Sequence, residues 1–162
     1  MAELTNLESK LGEVTGLAMA AQAATKKVMT LCEEESLVAE LETMQAEAAE
    51  TEERCTELAG SMEGKKTAIL EEAQATKNKA SEMMSTYLDS DADALDGFEF
   101  LTMAEAGEVG HWTVLRTLAE KAGNGEVTQL AGWALPIQER HFADVKRASL
   151  ELASEEDPHE AA

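Results

Sequence analysis

Seven polar or sulfur-bearing side chains, Gln22, Glu52, Cys55, Glu108, His111, Gln138 and His141, are spaced so that they could serve one chemical centre. Six of them form pairs three residues apart, Glu52-x-x-Cys55, Glu108-x-x-His111 and Gln138-x-x-His141. On a helix such a pair lies on one face. Carboxylate and imidazole together are ligands for a transition-metal ion, and a thiolate suits a softer one. Cys55, His111, His141 and a glutamate would make a chemically sensible tetrahedral zinc site. Glu-x-x-His is common by chance in glutamate-rich helical sequence, so the pairs alone decide little.

Their placement in the chain says more. The offsets 138 − 52 and 108 − 22 are both 86, so Glu52-Glu-Arg-Cys55 lines up with Gln138-Glu-Arg-His141 and Gln22 with Glu108. The same offset lays Ala18 on Ala104, Ala20 on Ala106 and Val28 on Val114. Two copies of one helical hairpin are expected. Each has a polar i,i+3 pair on its second helix and a single polar residue across from it on its first. Gln22, Glu52, Glu108, Gln138 and His141 fall near the middle of otherwise apolar stripes. There a carboxylate or imidazole costs several kcal/mol unless paired or bound to metal.

Four segments position these residues. Apolar stripes run through Leu7, Leu11, Val14 and Val28, through Leu37, Leu41, Met44 and Leu58, through Leu101, Trp112 and Leu115, and through Val127, Leu130 and Val145, in steps of three and four. Helices are expected over 4–33, 36–61, 95–122 and 126–153. Ser36 is the expected N-cap of the second, and Gly123-Asn-Gly125 a helix stop and turn. A fifth helix, 65–88, is weakly amphipathic and carries Lys65, Lys66, Lys77 and Lys79. It reads as a solvated helix of mixed charge that crosses from one end of a bundle to the other, spanning roughly 36 Å at about 1.5 Å per residue. Residues 1–153 then form a single bundle, and 154–162 a disordered acidic tail.

Composition agrees with an all-α class. Aromatic residues are 4% of the 162, prolines number 2, and hydrophobic residues make up 44%. The formal charge of −20 argues against nucleic acid and anionic membrane as partners, both of which need a basic face. No targeting signal and no apolar run near roughly 20 residues is visible, so a cytoplasmic location is expected. No nucleophile–base set, Gly-rich phosphate loop or Cys-x-x-Cys is present.

On these residues the chain resembles the ferritin-like superfamily. The likeness is strongest over Glu105-Ala-Gly-Glu108-Val-Gly-His111-Trp and Gln138-Glu-Arg-His141-Phe, which are similar to rubrerythrin-type domains and to bacterial stress-associated ferritin-like proteins. The resemblance implies a ferritin-like four-helix bundle of two αα-hairpins plus a crossover helix, around a di-metal centre to which each hairpin gives a Glu and a Glu-x-x-His. It implies Glu52, Glu108 and His141 as principal ligands, with His111, Cys55, Gln138 and Gln22 as auxiliary groups. Gln22 and Gln138 stand where the family has carboxylates, and Cys55 where it has histidine. The implied cofactor is therefore open between iron with an incomplete ligand set, zinc, and none. The function it implies is metal binding in the bundle core, tied to oxidative stress or redox chemistry on oxygen or peroxide. The other expectation is a metal-free helical scaffold that associates with further copies or with partners through its surface.

Several residues carry plainer expectations. Cys55 reads as a packed thiol and Trp112 and Trp133 as core. Gln22 and Gln138 read as mutual hydrogen-bond partners or partners of histidine. Glu105 is expected at the edge of its stripe, reaching water. Pro136 is expected to kink the fourth stripe's helix, and His159 to be solvated.

Overall fold

A computed structural model describes residues 2–162. Among them are five helices: α1 (Asn6–Met29), α2 (Glu35–Ser61), α3 (Lys66–Tyr87), α4 (Ala94–Ala122) and α5 (Gly125–Glu155). The all-α class follows. Boundaries agree with the sequence periodicity to within a few residues, because the caps are local. Thr5 and Glu8 exchange bonds as a capping box at the start of α1, and Asp93 and Asp96 do the same at α4. Gly123 ends α4 at φ +65°, a left-handed conformation that glycine adopts without strain, and Asn124 caps α5 through the Val127 N–H. Ser36 is not a cap: Glu34 holds that position, without a side-chain bond, and Ser36 lies inside the first turn of α2. The helix of α5 continues unbroken through Pro136 and onward to Glu155, two residues into the segment expected to be a tail.

Cross-helix contacts define the arrangement. Leu11 clusters with Cys55 and Ala59 while Val28 clusters with Leu37 and Leu41, so α1 and α2 are antiparallel; Glu105 meets His141 while Thr102 meets Ser149, so α4 and α5 are too. Lys10 reaches His111 and Val28 flanks Gly97, which sets α1 against α4. Glu47 meets Arg140 and Glu40 meets Arg147, which sets α2 against α5. The four helices close a ring, and α3 lies outside it, parallel to α1, carrying the chain from one end to the other. None of the described helices is long and apolar enough to cross a membrane.

The seat of α3 corrects the expectation of a solvated helix. Ala68, Ile69 and Ala73 are buried, and Leu88 just beyond the helix is too. On α1, Gly12 and Gly16 make this approach feasible. A Cβ at Gly16 would stand 2.2 Å from the Ala73 carbonyl oxygen, and one at Gly12 would stand 2.9 Å from that of Ile69. Two backbones therefore touch where side chains would hold them apart, which suits the close packing of interiors.

The ring's interior is layered. One apolar cluster gathers Leu11, Val14, Cys55, Trp112, Leu115 and Leu130, and the other gathers Val28, Leu41, Met44, Phe98, Leu101 and Val145. Along every ring helix the polar residues singled out above lie between the two clusters.

Candidate functional site

The polar layer has two unequal sides. On the α4–α5 side Glu105, Glu108, Gln138 and His141 are all buried, with exposures of 1 to 3%. The Gln138 amide is oriented by its neighbours: with its nitrogen toward the carboxyls, it donates to Glu105 Oε2 (2.9 Å) and Glu108 Oε2 (3.1 Å). His141 Nδ1 lies 3.7 Å from Glu105 Oε2, and Nε2 lies 3.2 Å from Glu47 Oε1 on α2. Arg140 clamps the same Glu47 with both guanidinium nitrogens.

On the α1–α2 side the Gln22 side-chain amide donates to Glu52, and the Gln45 amide donates to the Gln22 backbone carbonyl (3.2 Å). Both Gln22 and Glu52 are only partly buried. Gln22 thus pairs with Glu52, and Gln138 with the two glutamates of α4; the amides do not pair with each other.

The charges follow from this geometry. Burial, then the adjacent Glu105 charge, pushes the Glu108 carboxyl well above the ordinary 4.5. Burial works to lower His141, but the carboxylates of Glu105 and Glu47 outweigh it and hold the imidazole above its ordinary 6.5. Burial likewise works to raise Glu47, and the bonds from Arg140 and His141 overcome it and hold Glu47 low. His141, Glu47 and Arg140 form a satisfied relay, whereas Glu108 has only the Gln138 amide.

Two of the sequence candidates lie apart from this cluster. His111 is 41% exposed at the α1–α4 edge, where Nδ1 is 3.2 Å from Glu13 Oε2 and 3.3 Å from Lys10 Nζ. Cys55 lies in the apolar cluster with Trp112, and burial pushes its thiol up to about 12. At that value it is a packed thiol and not a ready thiolate. The structure therefore brings together Glu108, Gln138 and His141, holds Gln22 and Glu52 as a separate pair, and leaves His111 at the α1–α4 edge and Cys55 in the apolar cluster. Among the described residues, no three His, Cys, Asp or Glu side chains are already grouped as ligands of one ion.

Glu105 does not reach water, contrary to the expectation from its stripe: it is 1% exposed and central to the network. Its place three residues before Glu108 is the sequence signal for this burial. Trp112 is fully buried with no partner for its indole N–H, and Trp133 is half-buried beneath Arg54, whose guanidinium carbon is 4.1 Å from the ring centre.

One further feature has no sequence motif. A cavity of about 210 Å³ opens between α1, α3 and α4. Its walls include Leu17, Met84, Phe100 and Ala104, with Glu105 and Glu108 at its buried end and His111 toward the surface. A mainly apolar recess ending on a few polar groups is the usual form of a small-molecule site.

No family model matches this chain, and no curated protein matches it.

Proposed function

We propose that the chain is a ferritin-like four-helix bundle, with α3 as its crossover helix, whose α4–α5 polar layer binds a single transition-metal ion. The observation that carries this is the buried Glu105–Glu108 pair, which faces His141 and Gln138 and has one more carboxyl than the neighbouring cations answer. A buried carboxyl pair of this kind is stabilised by a bound cation or by a proton. The donor set fits one ion: two carboxylates, an imidazole and an amide oxygen, a mixture suited to iron or zinc. It does not fit two. Glu52 is engaged by Gln22, Cys55 is shut into the apolar cluster, and His111 is engaged by Glu13. Binding would draw the α4–α5 donors together, with Gln138 turning its oxygen inward. Glu47 would hold the His141 ring, and Arg140 would fix Glu47. A redox-active ion there would supply electron transfer to oxygen or peroxide; zinc would supply only polarisation and structure.

Metal analysis of protein purified without a His-tag tests this. About one equivalent of metal is expected, with a melting temperature that a chelator lowers. At a free metal concentration of 100 times Kd the stabilisation is roughly 2.7 kcal/mol.

The second reading is a metal-free scaffold. It is favoured by the Gln138 amide, which already bridges both carboxyls. A metal-free preparation that gains nothing from added Fe(II) or Zn(II), together with a Glu108→Leu variant as stable as its parent, would decide for it.

A further inference from the structure

The charges of the polar layer leave one buried group unanswered. Arg140 faces Glu47, and His141 lies between Glu47 and Glu105. At the surface end of the cavity, Lys10 and His111 both face Glu13. Glu108 is 3% exposed, lines the cavity, and receives no donor other than the Gln138 amide. It stands beside a second carboxyl, Glu105, at the closed end of a recess whose remaining walls are mostly alanine, leucine, methionine and phenylalanine. The Glu105 carboxylate at this closed end repels an anionic ligand, as does a chain of net charge −20.

From this juxtaposition we propose that the cavity between α1, α3 and α4 binds a small organic cation, an ammonium group carried on a short hydrocarbon. The ammonium sits against Glu108, and the hydrocarbon lies among Leu17, Met84, Phe100 and Ala104. A bare metal ion has no use for these apolar walls, whereas an alkyl chain is stabilised by them. The cavity of about 210 Å³ exceeds the roughly 150 Å³ of an apolar cavity that takes up benzene, so it has room for a six-carbon amine. Methionine thioethers around the opening, Met84 and the exposed Met83 and Met103, adapt to chains of different shape. Ammonium and metal would compete for the same carboxyl, but the ammonium needs no metal in order to bind.

Calorimetric titration of chelator-treated full-length protein with hexylamine, hexanol and hexanoate, at near-physiological ionic strength, tests this. The expected result is hexylamine binding at least about tenfold tighter than hexanol, with hexanoate not binding. Glu108→Gln keeps the shape of the site and is expected to bring hexylamine down to the level of hexanol. Ala104→Leu fills the cavity and is expected to abolish binding of both; circular dichroism checks that each variant keeps its helices. Hexanol or hexanoate binding as tightly as hexylamine overturns the proposal, as does no hexylamine binding, or binding that survives Glu108→Gln. Adding zinc or Fe(II) separates the two readings. Hexylamine binding in a protein that takes up no metal leaves this proposal standing and removes the metal site. Metal uptake without hexylamine binding does the reverse.

Discussion

The two hairpins carry the same pattern at an offset of 86 residues and put it to different use. In α1–α2, Gln22 and Glu52 form one pair at the margin of the interior, and Cys55 packs among apolar neighbours. In α4–α5 the corresponding Glu108, Gln138 and His141 are buried together with Glu105. The outer faces differ as well. Gly12 and Gly16 of α1 admit the backbone of α3, whereas the positions 86 residues on are Phe98 and Thr102. Phe98 points into the core, and the Thr102 hydroxyl bonds back to the Phe98 carbonyl (2.7 Å). Only one hairpin can seat the crossover helix, and the gap left beside the other becomes the cavity. A repeated pattern thus yields a packed half and a half beside an open recess.

The largest effect is expected where that asymmetry is made. Gly16→Ala places a methyl group into the Ala73 carbonyl, and neither backbone can yield cheaply. A loss on the order of 3 kcal/mol is expected by urea unfolding. Thr102→Ala, the equivalent position in the other hairpin, removes one back-bonded hydroxyl and should cost about 1 kcal/mol or less. Equal losses at the two positions would erase the distinction.

Glu108→Leu and Glu52→Leu compare the two polar sides. In metal-free protein Glu108→Leu removes a poorly answered buried acid and should leave stability unchanged or raise it by up to about 2 kcal/mol. In metal-loaded protein it should abolish metal binding and the stability that comes with it. Glu52→Leu should change the metal-free protein by less than about 1 kcal/mol, since water reaches that pair. If Glu52→Leu alone removed the metal, the centre would have to be moved toward α1–α2.

The pH dependence sharpens the same contrast. Glu108 has a raised folded-state pKa, so between 4.5 and that value the folded chain keeps a proton that the unfolded chain releases. Its contribution is fully present below 4.5 and falls as pH rises. His141, raised above 6.5, likewise contributes fully below 6.5 and loses its contribution as pH rises through its folded value. Metal-free protein should therefore become less stable on going from about pH 5 to pH 8, with each group contributing a slope of at most about 1.4 kcal/mol per pH unit. Chemical melts of wild type and Glu108→Gln check this, and the variant should show the shallower profile.

Cys55→Ala should cost about 1 to 2 kcal/mol through a small cavity and leave metal content untouched. In folded protein, iodoacetamide should label half-buried Cys32 before buried Cys55, which mass spectrometry reads directly. The smallest effect is expected at His111→Ala, within about 0.5 kcal/mol in thermal melts, because its pairing with Glu13 is partly exposed.

The helices are legible in the sequence because their signals are local: stripes at three and four, Thr5 and Asp93 as caps, Gly123 as a stop. The polar layer is legible because Glu108, Gln138 and His141 interrupt apolar stripes. The burial of Glu105 is only half legible: its spacing allows it, but the stripe of α4 alone does not show the Gln138 and His141 side chains of α5 that it meets inside the bundle. The seat of α3 is not legible, because it consists of side chains that are absent: periodicity scores Leu and Val, not a bare Gly12 or Gly16 meeting Ala73. The cavity has no signal of its own in the chain. It is the space left when α3 leans toward α1 and away from α4.

That lean also bears on the order in which structure forms. Helices α1, α2 and α3 are consecutive in the chain and pack on one another, as α4 and α5 do, and the link between the two groups is the short stretch from Leu88 to Asp93. Contacts close in sequence form early, and cooperative units tend to follow such groups. The amides of α3 should therefore exchange with solvent in step with those of α1, at a rate set by the opening of a three-helix unit, while α4 and α5 open on their own schedule.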